Sequence, residues 1–308
     1  MTSPKIEHIG QVYDRCHGIT GGDVATYIPE LARADPNAFG LSVTDTTGHS
    51  YDFGDVDVAF TLQSVSKPFA YAFALEHRGF DVVDAHIDVE PSGEAFNEFS
   101  LDHLTGHPRN AMINAGAITA TSLVSDRNEG DTPALLAYLG RFVGHPIEID
   151  RKVYESEVET GHRNRAIAHL LRSVNVLQGD PDDVLDVYFR QCSALVTASD
   201  LSMMAATLAN GGIQPVTGEE LISRPVLRRV LSVMASCGMY DGAGDWLTNV
   251  GLPAKSGVSG AILGVLPGRV GASVWSPPLN PHGNSVRGVA AFRMLSDEFG
   301  LHVFEVHR

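Results

Sequence analysis

Sheet-forming sequence lies near the two ends of this chain and is scarce between them. Residues 39–53 alternate apolar and polar side chains around Thr46-Thr47-Gly48, the pattern of a β-hairpin, and 57–62 read as a further short extended piece. Residues 251–275, rich in Gly and β-branched side chains, predict two or three strands, and 302–306 a last short one. From about residue 80 to 214 helical spacing dominates: 101–104, 111–124, 132–142, 164–174, 182–192 and 198–209, closed by Asn210-Gly211-Gly212. Helical spacing also runs from Gln11 to about Leu31, with a break at Gly21-Gly22, and over 63–76, 225–234 and 286–299. A sheet whose strands come from both ends has to close across that middle. The expected fold class is therefore α+β: an antiparallel sheet flanked by helices, with an inserted helical subdomain. Neither an internal repeat nor a Pro/Ser-rich linker divides the chain. It reads as one unit, 1–308, with a sheet-bearing lobe from about 1–80 and 220–308 and a helical lobe from about 81–219.

Composition removes several functions. A chain of 308 residues, 44% hydrophobic, builds a core without disulfide or metal staples. Acidic residues outnumber basic ones 37 to 22, and a net charge of −15 repels nucleic acid and anionic membranes. No apolar run reaches the ~18 residues of a membrane span. Cys16, Cys192 and Cys237 are too few and too scattered for a disulfide framework or a CxxC-type zinc site. The opening MTSPKIEHIG lacks the apolar core of a secretory signal, so a cytoplasmic location is expected. His103 and His107 have i, i+4 spacing, but Gly106 and Pro108 interrupt the helix and a third ligand is missing, so no metal is expected.

Only four of the 22 basic residues are lysines: Lys5, Lys67, Lys152 and Lys255. Lysine can release its proton when desolvated, whereas arginine cannot. Lys67 ends Ser64-Val65-Ser66-Lys67, the only S-x-x-K in the chain. Residues three apart share a helix face, so hydroxyl and amine can meet. Pro68 is tolerable only in a first helical turn, which places Ser64 at the helix start, beside free backbone N–H groups. The ordinary alternative is a capping serine and a solvated lysine. Lys255-Ser256-Gly257, in the C-terminal strand region, shifts that balance. S-x-x-K at a helix start with K-[ST]-G on a distant strand is the signature of serine β-lactamases and penicillin-binding proteins.

Other blocks narrow the resemblance. Tyr27-Ile28-Pro29-Glu30-Leu31, FTLQSVSK (60–67), INAGAI (113–118), EVETGHRN (157–164), YFRQCS (188–193), MAATLANGG (204–212), CGMYD (237–241) and GLPAKSGVSG (251–260) cover nearly the whole chain. Together they resemble the serine-dependent glutaminase family, whose catalytic domain has the β-lactamase-like fold. The resemblance implies hydrolysis of L-glutamine to L-glutamate and ammonia without a cofactor, by a homo-oligomer, dimer or tetramer. It marks Ser64 as nucleophile, with Lys67 and Tyr240 as proton-transfer groups, and leaves open which of the two is the base. It marks Tyr27, Asn114, Glu157, Asn164, Tyr188, Ser256 and Val258 as substrate contacts. The chemistry suits a free amino acid: a carboxylate for the α-ammonium, amides and phenols for the α-carboxylate, and backbone N–H groups of Ser64 and Val258 for an oxyanion. Read without the resemblance, Asn114 is a turn or cap residue, Tyr188 a core residue and Glu157 part of a solvated acidic face. His162, Ala111 and Pro68 depart from the family's usual text, and none is a marked contact. Two other functions stay open: another serine hydrolase of this fold, or a binding protein that kept the fold without activity.

Overall fold

In the computed structural model, which describes residues 6–26, 28–93, 100–124 and 131–305, the hairpin forms as β1 (Gly40–Asp45) and β2 (Ser50–Gly54). Asp45 accepts the Thr47 N–H at 2.8 Å, and Gly48 takes φ +85° to complete the turn. A short pair follows, β3 (Phe60–Thr61) with β4 (Leu195–Val196). The C-terminal region supplies three strands: β5 (Ala254–Ser256), β6 (Ala261–Leu266) and β7 (Val270–Trp275). The main sheet is antiparallel throughout, in the order β2-β1-β7-β6-β5, so the two ends of the chain meet where β1 pairs with β7. Val43 stands between Tyr51 of β2 and Ala272 of β7.

The helices are α1 (Ile6–His17), α2 (Lys67–Arg78), α3 (Phe80–Asp84), α4 (Asn114–Val124), α5 (Asp131–Val143), α6 (Arg151–Thr160), α7 (His162–Ser173), α8 (Pro181–Cys192), α9 (Ala198–Ala209), α10 (Arg224–Cys237), α11 (Ala243–Asn249) and α12 (Val286–Phe299). One sheet face is covered by α1 and α12, where Ile9, Val12 and Cys16 join Leu41, Ile262, Phe292 and Leu295 in one core. The other face is covered by α9, although α9 belongs to the 81–219 stretch. Ser273 Oγ donates to the Ala198 carbonyl at 2.5 Å, and Ser42 and Ser202 hydroxyls meet at 2.6 Å. Covered on both faces, β6 and β7 are buried at every position. A second core joins α2, α5, α9 and α10, and a third joins α4, α7 and α8.

Gly271 permits the close approach of α9: a Cβ there would lie 2.1 Å from the Ala206 nitrogen. Gly271→Ala is expected to lower stability by about 3 kcal/mol through overpacking, read as a lower denaturation midpoint.

Several local expectations differ from what forms. Residues 101–104 are a turn rather than a helix, because Asp102 accepts the N–H groups of Leu104 and Thr105, both at 2.9 Å. Residues 302–305 form a turn: His302 Nε2 lies 3.0 Å from the Leu247 carbonyl, and the segment pairs with no strand among the described residues. The N-terminal helix runs from Ile6 to His17 and does not continue toward Leu31. Helix α6, unforeseen, is capped by Asp150, which accepts from Lys152 and Val153 N–H. Among the described residues no helix is long and apolar enough to cross a membrane.

Candidate active site

Ser64 lies in a single 3₁₀ turn, Gln63–Ser66, that runs directly into α2. Pro68 occupies the first turn of α2, where its missing N–H costs nothing. Ser64, as an early residue of the turn, has an N–H without an intrahelical acceptor. Gln63 before it has φ +48°, left-handed for a residue with a side chain. The expected alternatives of a capping serine and a solvated lysine both fail. No side chain caps this turn or α2, Lys67 is 1% exposed, and its Nζ donates to Ser64 Oγ at 2.5 Å. Burial pushes the Lys67 amine down to about 8.

Edge strand β5 lies beside this turn. A Cβ on Gly257 would be 3.0 Å from Val65 Cγ2 and 3.2 Å from the Leu62 carbonyl, so the glycine of Lys-Ser-Gly permits the contact. Val258 follows it, buried, at the same end of the strand. The Ser256 hydroxyl is buried beside the Tyr240 phenol. Tyr240 arrives from the end of α10 with φ +57°. Its hydroxyl hydrogen-bonds Ser64 and donates to the Ser256 carbonyl at 3.4 Å. Burial pushes the phenol up to about 12. Lys255 is fully buried, donates to the carbonyls of Gly238 at 2.9 Å and Ser256 at 2.7 Å, and sits 3.8 Å from the centre of the Tyr240 ring. Burial and the charge of Lys67 hold its amine well below the usual range.

The helical side brings Glu157 and Tyr188. Glu157, on α6, is 4% exposed, accepts from the Gln63 side chain and faces Lys67, so it is no part of a solvated acidic face. Burial raises its carboxyl to about 7. The Tyr188 ring lies 5.7 Å from Lys67 Nζ while packing among Ile118, Ile167 and Phe189, so it is a core residue that also borders the Ser64–Lys67 pair. Asn114 opens α4, Asn164 lies in the first turn of α7, and they meet, Asn114 Nδ2 donating to Asn164 Oδ1 at 3.0 Å. Tyr27 lies outside the described residues.

The geometry thus joins Ser64, Lys67, Tyr240 and Ser256 through direct contacts, brings Glu157 in through Gln63 and Tyr188 alongside Lys67, and holds Asn114 and Asn164 as a second pair. Sequence reasoning missed Gln63, whose position directly before the S-x-x-K serine was the available signal. It also missed Cys192, which hydrogen-bonds Tyr188 and whose thiol is pushed up to about 12 by burial, so it is no nucleophile. His107 instead pairs with Asp88, Nδ1 to Oδ1 at 3.3 Å, and among the described residues no three His, Cys, Asp or Glu side chains are grouped as a metal site.

The family model "Glutaminase" matches residues 22–304. A glutaminase of Corynebacterium glutamicum is 47% identical over 311 residues, spanning 100% of this chain and 75% of the relative. One of Trichormus variabilis is 46% identical, spanning 98% of this chain and 91% of the relative. Among solved structures, a crystal structure of Mglu in its glutamate form superposes with a TM-score of 0.94 at 46% identity, covering 100% of this chain and 72% of that one. A probable glutaminase, ybaS, superposes with a TM-score of 0.95 at 37% identity, covering 98% of each chain. The α+β arrangement is accordingly the β-lactamase-like fold of these structures. Matched by the family model over most of its length and by close relatives from end to end, the chain belongs to the glutaminase family.

Proposed function

We propose that this protein hydrolyses L-glutamine to L-glutamate and ammonia through an ester on Ser64. The observation that carries this reading is the 2.5 Å contact between Ser64 Oγ and the buried amine of Lys67. An amine that releases its proton at about 8 is a competent base near neutral pH, whereas a phenol held at about 12 is not. Lys67 therefore takes the Ser64 proton as Oγ forms a bond to the side-chain amide carbon of glutamine. The carbonyl oxygen becomes negative and is received by the backbone N–H groups of Ser64 and Val258. The C–N bond then breaks, and the departing nitrogen gains a proton from Tyr240, which stays protonated at working pH and already contacts Ser64. Lys67 returns the first proton to Tyr240. Water next attacks the ester, giving its proton to Lys67, which passes it to Ser64 Oγ as glutamate leaves.

Glu157 receives the α-ammonium of the substrate. Asn114, Asn164, Tyr188 and Tyr27 donate to its α-carboxylate, and the buried Ser256 hydroxyl beside Tyr240 is a further contact for the same ligand. A buried carboxylate beside Gln63 and Lys67 suits a free amino acid and has no counterpart need in an acylated peptide. That favours glutamine over the substrates of other serine hydrolases of this fold. The intact Ser64–Lys67 contact disfavours a binding protein without activity. Ammonia release from glutamine, set against cleavage of a chromogenic β-lactam, tests the substrate. A mass spectrum of the protein after a glutamine-mimicking electrophile tests for the covalent bond on Ser64.

The pH profile tests the base. Lys67 must be neutral to act and Glu157 ionised to bind, and both conditions improve as pH rises. kcat/KM, which reports the free enzyme, is expected to rise through 7 and again through 8, more steeply below 7. kcat reports the complex, where the substrate ammonium keeps Glu157 ionised, and is expected to rise through a single step near 8. A kcat that is flat between pH 7 and 9 would remove Lys67 as the base.

A further inference from the structure

The turn carrying Ser64 is held by groups that the chemistry above does not use. A left-handed Gln63 is strained and persists only where its surroundings fix it. The Gln63 carbonyl accepts from Ser66 Oγ at 2.7 Å. A serine bonding a carbonyl three residues back is common in helical turns. What is not local is the next contact: Gln191 Nε2 donates to Ser66 Oγ at 2.8 Å. Gln191 Oε1 in turn lies 3.5 Å from the hydroxyl of Thr121, which donates to the Ala117 carbonyl at 2.9 Å. Ser66 and Thr121 are fully buried and Gln191 is 1% exposed. Burying an amide and two hydroxyls costs free energy that apolar side chains of the same size would not.

The placement gives these groups a use. Gln191 stands on α8 three residues after Tyr188, and Thr121 on α4, the helix that Asn114 opens. On the opposite side of the turn the Gln63 side chain holds Glu157. The Ser66–Gln191 contact therefore ties α8, the helix that carries Tyr188, to the peptide unit immediately before the nucleophile, with Thr121 of α4 beside the Gln191 amide. We infer that Ser66 and Gln191 are positioning residues that lock Gln63 in its left-handed conformation and so fix the Ser64 hydroxyl and N–H against Glu157. Neither touches the substrate or a reacting atom, and the inference rests on the reading of Ser64 as nucleophile.

The test compares Ser66→Ala, Gln191→Leu and the double variant with the wild-type protein. Ammonia release gives kcat and KM for glutamine, and an electrophilic glutamine mimic at saturation gives the rate of Ser64 labelling. Misplacing a reacting group by a fraction of an ångström costs roughly tenfold to a hundredfold in rate, so kcat and labelling are expected to fall together by that factor. KM should stay within about twofold, because the groups that bind the ground state are untouched. The double variant should be no slower than Ser66→Ala, since both changes act through one hydroxyl. A kcat within about twofold of wild type in the folded variants would overturn the inference, as would losses that multiply in the double variant or appear in KM alone. If Ser66→Ala does not fold, Gln191→Leu decides by the same split, because Ser66 is the only contact of Gln191 with this turn that the relay requires. Wild-type protein that neither releases ammonia nor is labelled at Ser64 would remove the underlying reading, whereas active wild type with unimpaired variants removes only the relay.

Discussion

Ser64→Ala is expected to lower kcat for glutamine by roughly 10⁴-fold or more while leaving the protein folded and able to bind its substrate. The hydroxyl caps no helix, so its removal takes nothing from α2. Its contacts are the Lys67 amine and the Tyr240 phenol, and the phenol keeps a second partner in the Ser256 carbonyl. An amine that has lost one acceptor costs about 1–3 kcal/mol, too little to unfold a domain with three apolar cores. Glu157, Asn114 and Asn164 are untouched, so calorimetry should still detect glutamine. Turnover by folded Ser64→Ala within about tenfold of wild type would rule out the covalent route.

Glu157→Gln is expected to move binding and stability in opposite directions. In the complex the neutral amide leaves the substrate ammonium buried and unpaired. Losing one partner of such a pair costs roughly 2–5 kcal/mol, so KM should rise by about thirtyfold or more. In the free protein the sign reverses. Burial raises the Glu157 carboxyl from 4.5 to about 7, which means that the folded chain holds this proton more tightly than the unfolded chain. The stability that this proton brings is present at low pH and is lost as pH rises through 7. Above 7 the wild-type protein carries a buried carboxylate, at a cost of up to about 3 kcal/mol from the size of that shift. Glutamine at 157 never ionises. The variant without ligand should melt above wild type at pH 8, with the gap closing near pH 5. A variant that melts at or below wild type at pH 8, or an unchanged KM, would overturn the assignment of Glu157.

These expectations depend on features that were unequally legible in the amino-acid sequence. The hairpin around Thr47, the full extents of α9 and α12, and the turn that presents Ser64 are local, and local signals specify them: a Thr-Gly turn, a capping box at Thr197 and Asp200, and a proline allowed only in a first turn. Helix α6 was illegible for a physical reason. Only Val153 and Glu157 of its ten residues are buried, so a carboxylate occupies the place where periodicity expects an apolar side chain. The helix that carries the candidate receptor for the substrate ammonium thus looks like a charged surface. The left-handed backbones of Gln63 and Tyr240 could not be read either, since neither residue type favours that region and tertiary contacts impose it. The last residues failed in the other direction: His302 and Val303 are β-like in composition, but the edge strands of the sheet are β2 and β5, and neither pairs with them. Roles for Asn114, Glu157 and Tyr188 came from resemblance to a family, because spacing alone could not lift them above a cap, a surface charge and a core ring.

The pairing of β1 with β7 also sets a clock on the newly made chain. Asp45 and Val270 are register partners 225 positions apart. At about 5–20 residues per second, β1 leaves the ribosome roughly 10–45 s before its partner is synthesised. Throughout that interval β1 has one strand edge unpaired, and for most of it an apolar face of the hairpin is uncovered, since α9 is not made until residues 198–209 and α12 comes last of all. An open, apolar strand edge is a template for pairing with other chains. The yield of folded protein in a crowded cell therefore depends on how that waiting hairpin is protected, more than on the stability of the finished sheet.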